Sequence, residues 1–117
     1  MSKITRIGVG KRMSSAVIHG DTVYLSGITA EQTRGGSVTA QTTEILARID
    51  GLLAEAGTDK SRLLQATVWL ADIGFYSEMN VVWDAWVTSG ETPVRACVEA
   101  KLAGPEYTVE IRVIAAR

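Results

Sequence analysis

TPVRACVEAK, residues 92–101, alternates apolar and polar side chains along its whole length. In an extended chain successive side chains point to opposite faces, so Val94, Ala96, Val98 and Ala100 share one side and Arg95, Cys97 and Glu99 the other. The first face reads as core. The second sets a guanidinium in the middle of a β-strand, which raises the question of what that guanidinium faces.

Working outward, YTVEIRVIAA (107–116) continues the β-type pattern to the C-terminus, and LLQATVWLA (63–71) is a strand too apolar to face water on either side. Between that strand and residue 92, Asp72 suits a helix cap, and Phe75, Met79, Val82 and Trp86 form a buried stripe that Gly90 closes. Upstream, Ile45, Leu46, Ile49, Leu52, Leu53 and Ala56 recur at three- and four-residue steps from Thr39 onward, with Gly57 just past the last of them. EQTRGGSV (31–38) has no period and reads as a loop. SAVIHG (15–20) and TVYLSG (22–27) are short strands joined at Gly20-Asp21, a pairing suited to a tight hairpin, and ITRIG (4–8) is a possible first strand.

The expected order is β-β-β-α-β-α-β-β in a single domain, residues 1–117. Two helices cover one face of a sheet, an α+β layer. Read by alternation, the other face carries Val17, Tyr24, Ser26, Thr67, Trp69, Cys97 and Arg95. That set is too apolar for open water, and the simplest cover is another copy of the same chain.

Composition narrows the function. Lys and Arg number 12 against 13 Asp and Glu, a formal charge of −1, so no basic field is available for nucleic acid. No apolar run reaches the roughly 20 residues that span a bilayer, and MSKITRIGVGKR lacks the apolar core of a signal peptide. One cysteine, Cys97, and one histidine, His19, leave no intrachain disulfide and no Cys/His metal set. A cytoplasmic protein without a membrane partner is the expectation.

Among individual residues, Arg95 has two uses: an arginine paired with Glu99 or Glu110, or a clamp that grips a ligand carboxylate through its planar fork. Glu110, in TVEIRV, either pairs with Arg112 or Lys101 or acts as a general base toward water. Cys97 has no histidine at a suggestive spacing and reads as a small buried hydrophobe. Ser26-Gly27 ends a strand, where a hydroxyl and adjacent amides suit an anion. Trp69, Trp83 and Trp86 read as core and interface, and His19 as an exposed strand end.

TPVRACVEAKL, with VEIRVIAA following and VYLSG near the start, resembles the RidA family, also called YjgF/YER057c/UK114. RMSSAVIHGDTVYLSG, LLQATVWLAD and NVVWDAWV look like its YoaB-type branch, so the resemblance spans nearly the whole chain. It implies a chorismate-mutase-like fold assembled as a homotrimer, with a central barrel of sheets, helices outside and clefts between subunits. It also implies an enamine/imine deaminase that hydrolyses 2-imino acids to 2-oxo acids and ammonia with no metal or organic cofactor. On the matching positions, Arg95 binds the substrate carboxylate and Glu110 positions the attacking water. Cys97 contacts the reacting group through its backbone, and Ser26 and Gly27 line the cleft. Two positions depart from the family's pattern: Met13 stands where a tyrosine closes the cleft, and Ile28 where a glutamine follows Ser-Gly. These departures keep a non-catalytic small-carboxylate binder as the alternative.

Overall fold

Each strand and helix follows from the local pattern, and the computed structural model describes residues 3–117. The strands are β1 (Ile4–Ile7), β2 (Ala16–His19), β3 (Thr22–Leu25), β4 (Leu63–Leu70), β5 (Val94–Glu99) and β6 (Val109–Ala116). The helices are α1 (Val38–Glu55) and α2 (Tyr76–Trp86). The expected order of elements is observed. The strands form one mixed sheet in the order β1-β2-β3-β6-β4-β5, so β1 and β5 are its edges. All pairings are antiparallel except β4 with β5, which α2 connects as a crossover helix must.

Helix α1 starts at Ser37, whose hydroxyl accepts the Ala40 amide at 3.0 Å. It stops at Gly57, where φ is +84° and the Thr58 and Gly57 amides reach back to the carbonyls of Leu53 and Ala54. That is the 6→1 and 5→2 closure that glycine's left-handed conformation permits. The second helix departs from the expected ends. Asp72 caps a 3-10 turn, Ile73–Phe75, by accepting the Gly74 amide, and α2 follows that turn. At the other end α2 stops at Trp86, and Gly90, with φ +79°, belongs to the turn beyond it.

Both helices cover one face. Ile45, Leu46, Ile49 and Leu53 of α1 and Met79 and Trp83 of α2 pack on Val23, Leu25, Ala66, Val68, Leu70, Ile111 and Val113. Gln41 is the polar residue inside this layer. Its side-chain amide donates to the carbonyls of Gly36 and Glu106, and its carbonyl accepts the Thr108 amide. It thus ties two loops to α1 with its buried polar atoms satisfied.

The opposite sheet face carries Val17, Tyr24, Thr67 and Trp69, as expected, but not Arg95 and Cys97. Register pairs Arg95 with Ala66 and Cys97 with Val68, which are wholly buried under the helices. Val94, Ala96 and Val98 pair with Gln65, Thr67 and Trp69 and therefore lie on the open side, Val94 70% and Val98 45% exposed. The face of β5 read as core is the uncovered one. An apolar stripe marks a surface that avoids water, and a contact between copies meets that need as well as a core does.

Candidate functional site: two half-sites on opposite faces of the sheet

Arg95 leaves β5 toward α2. Its Nη1 donates to Asn80 Oδ1 at 2.8 Å and its Nη2 to the Tyr76 hydroxyl at 3.3 Å. The guanidinium lies 5.2 Å from the Trp83 ring centroid and 5.8 Å from that of Tyr76. Neutral oxygens and aromatic faces hold the charge in place without cancelling it. Neither acid that could have paired with it does so. Glu99 accepts the Ile73 amide at 2.9 Å, and Glu110 is on the other face of the sheet. The ion pair found among the described residues joins Arg48 to Glu31 instead. Arg95 is thus a fixed cation with no anionic partner among the described residues.

Cys97 sits one pleat along from Arg95 on the same face, half-buried against the core. Burial pushes its thiol up from the ordinary range, with the Arg95 charge pulling weakly the other way. A thiol kept protonated is a poor nucleophile. The Cys97 backbone belongs to an edge strand, so one side of it has no neighbouring strand among the described residues.

The second group of residues gathers around Glu110. It pairs with Trp69 and so projects from the open face, while the Arg112 guanidinium lies 5.9 Å over the Trp69 ring. Arg112 and Lys101 form no ion pair with Glu110. The carboxyl group lies directly against Gly27, where any Cβ would collide with it. Glycine here is a matter of space, and the missing side chain is what lets Glu110 lie against the β3 end.

A bulge produces this approach. Tyr24 stands opposite Ile114 and Ile28 opposite Ile111, so Leu25, Ser26 and Gly27 face only Arg112 and Val113. The extra residue reverses the alternation beyond it. Ile28 therefore turns into the core, 4% exposed, and exchanges backbone hydrogen bonds with Ile111. Alternation without a bulge would have left Ile28 on the open face. Its apolar side chain consequently says nothing about the lining of the site.

Ser26 is half-buried at the bulge and donates its amide to the Ser15 carbonyl, closing the loop that carries Met13. Met13 is 60% exposed, and its carbonyl accepts the Gly10 amide. The sequence-derived candidates thus divide into two sets. Ser26, Gly27 and Glu110 form one, with the Met13 loop anchored beside it, and Arg95 and Cys97 form the other. Asn80, Tyr76 and Trp83, which hold Arg95, were absent from that list. Their three- and four-residue spacing on α2 carries the signal, since it stacks all three on one helix face.

A cavity of about 740 Å³ contains neither set. It lies under the loop after β5 and is lined by Ala71, Glu99 and residues 100–105 with Tyr107.

Comparison with known proteins agrees with the fold. The family model described as Endoribonuclease L-PSP matches residues 3–117. The RutC family protein YoaB of Escherichia coli is 42% identical over 113 residues, covering 97% of each chain. A RutC family protein of Haemophilus influenzae is 44% identical over 112 residues, covering 96% of this chain and 97% of its own. A crystal structure of a YjgF-family protein from Neisseria meningitidis superposes with a TM-score of 0.95 at 47% identity, covering 98% of this chain and 95% of that one.

Proposed function

The chain belongs to the Endoribonuclease L-PSP family, the RidA/YjgF proteins, in its YoaB-like branch, and from this we propose that it hydrolyses reactive 2-imino acids to 2-oxo acids and ammonia. The observation that carries the reading is Arg95: a guanidinium fixed by Asn80, Tyr76 and Trp83 with no carboxylate of its own. A small 2-imino acid of the 2-iminobutanoate or 2-iminopropanoate type supplies the missing anion. Its carboxylate docks on the fork and its imine carbon extends away from it.

The chemistry asks little beyond position. The C=N carbon of a protonated imine is electrophilic, so a held water adds to it once a base accepts the water's proton. Glu110 is that base. The C–O bond forms and the proton held by Glu110 passes to nitrogen; the C–N bond then breaks as the remaining hydroxyl proton moves through Glu110 to the departing ammonia, releasing ammonium and the 2-oxo acid. No redox partner enters the balance.

Arg95 and Glu110 lie on opposite faces of one sheet, so a single small molecule cannot meet both within one chain. The active assembly therefore joins the Arg95 face of one protomer to the Glu110 face of the next. A head-to-tail contact of this kind closes into a ring, and the homotrimer implied by the family resemblance is such a ring. The uncovered stripe of Val94, Val98 and Tyr24 supplies apolar surface for it.

The test is a threonine dehydratase assay that follows 2-oxobutanoate release. Wild type accelerates release and Arg95→Ala abolishes the acceleration with an unchanged melting temperature; no acceleration by wild type across several amino-acid substrates sinks the reading. Co-assembly sharpens it. Arg95→Ala and Glu110→Gln chains are each inactive alone, and an equal mixture recovers about one site in four by random pairing of faces. No recovery in verified mixed assemblies would show that each site is built within one chain.

A second reading is capture without turnover. The exposed, apolar Met13 favours it, since no proton donor stands there. Saturable, Arg95-dependent binding of 2-oxobutanoate with no catalysis would establish it. The nuclease activity in the name of the family model lacks a matching surface charge: the chain is formally −1.

A further inference from the structure

Arg95 donates to the Tyr76 hydroxyl, and the direction of that bond matters. A phenol has one proton to give and lone pairs to receive. Here the oxygen receives from a cation, and among the described residues no hydrogen bond uses its proton. Asn80 is arranged the same way, its carbonyl oxygen accepting from Arg95. The phenol proton of Tyr76 is therefore free to be donated beside the guanidinium.

Tyr76 also stands where a ligand meets it. It is the first residue of α2 and 43% exposed, whereas Trp83, beneath the guanidinium, is 5% exposed. With the buried ring of Trp83 on one side, Arg95 has the exposed Tyr76, and its hydroxyl, as its neighbour toward solvent. A hydroxyl that already accepts from a cation is a stronger donor to an anion.

We infer that the Tyr76 hydroxyl is a second donor to the substrate carboxylate, working beside the Arg95 fork and selecting for carboxylate ligands. The inference rests on the reading of Arg95 as the carboxylate clamp. The carboxylate is a spectator in the hydrolysis, equally charged before and during reaction, so Tyr76 contributes to KM and leaves kcat alone.

Tyr76→Phe tests this, because it removes the hydroxyl while the shorter bond to Asn80 and the Trp83 ring still hold Arg95. With sodium 2-oxobutanoate as the titrant in calorimetry, the variant should bind about tenfold more weakly than wild type, the scale of a hydrogen bond to a charged group. Its KM for the imino acid should rise by a similar factor at unchanged kcat and unchanged melting temperature. Wild-type affinity in Tyr76→Phe, with binding lost in Arg95→Ala, overturns the role of Tyr76 and leaves the clamp standing. A fall in kcat at constant KM overturns it too, by placing the hydroxyl at the reacting atoms. Should Arg95→Ala bind as well as wild type, the clamp itself is wrong and Tyr76 has no carboxylate to meet.

Discussion

Gly27 sets the position of the proposed base by occupying no space. In Gly27→Ala the new methyl would overlap the Glu110 carboxyl, and the side chain that yields is the flexible one. The expected result is a folded protein with kcat reduced about a hundredfold, the scale of a lost general base; a melting curve and the deaminase assay separate the two effects. Cys97 gives the opposite expectation. Burial holds its thiol protonated, so Cys97→Ser should keep most of kcat/KM, and loss of activity there would restore the nucleophile. Arg95 stood out in the sequence as a charge set inside an apolar strand, whereas Glu110 and the Ser26-Gly27 pair became site candidates through the family resemblance. The grouping was not legible there. One extra residue between Tyr24 and Ile28 changes which way everything after it points, and no side chain announces the extra residue except the glycine itself.

Loop 31–33 is held to α1 by one carboxylate. Glu44 accepts the Thr33 hydroxyl at 2.7 Å and the amides of Glu31, Gln32 and Thr33 at 2.8 to 3.1 Å. The Thr33 hydroxyl first, then these amides, bring the carboxyl from 4.5 down to about 2 against a desolvation that pushes it up. The sign follows from a depressed value. The folded state favours the ionised form, so the stabilisation is complete above 4.5 and drains away as pH falls toward about 2. Thermal melts across that interval should show a steeper acid loss in wild type than in Glu44→Gln; parallel curves would mean that the loop does not depend on the charge. Periodicity revealed both helices, alternation revealed β5, and the continuous apolar run of 63–71 revealed β4, because all of these are local properties. The helix ends at Asp72 and Gly90 were displaced, since a cap residue serves a single 3-10 turn as readily as a longer helix. On β5 the two faces were exchanged, because Val94 and Val98 are as apolar as any core pair and alternation does not say which side the helices take.

The whole molecule is one sheet with helices on a single side and an apolar, aromatic stripe left on the other. Its strand order places Arg95 on an edge strand and Glu110 two strands inward, back to back through the sheet. In the proposed assembly every working site borrows one of these groups from a neighbour. Catalysis is then a collective property of the ring and vanishes when its members drift apart. Turnover per chain should hold steady on dilution until the concentration nears the dissociation constant for assembly, then drop faster than in proportion. Sedimentation and rate, measured on the same dilution series, should fail together; a rate per chain that survives complete dissociation would show that each protomer works alone.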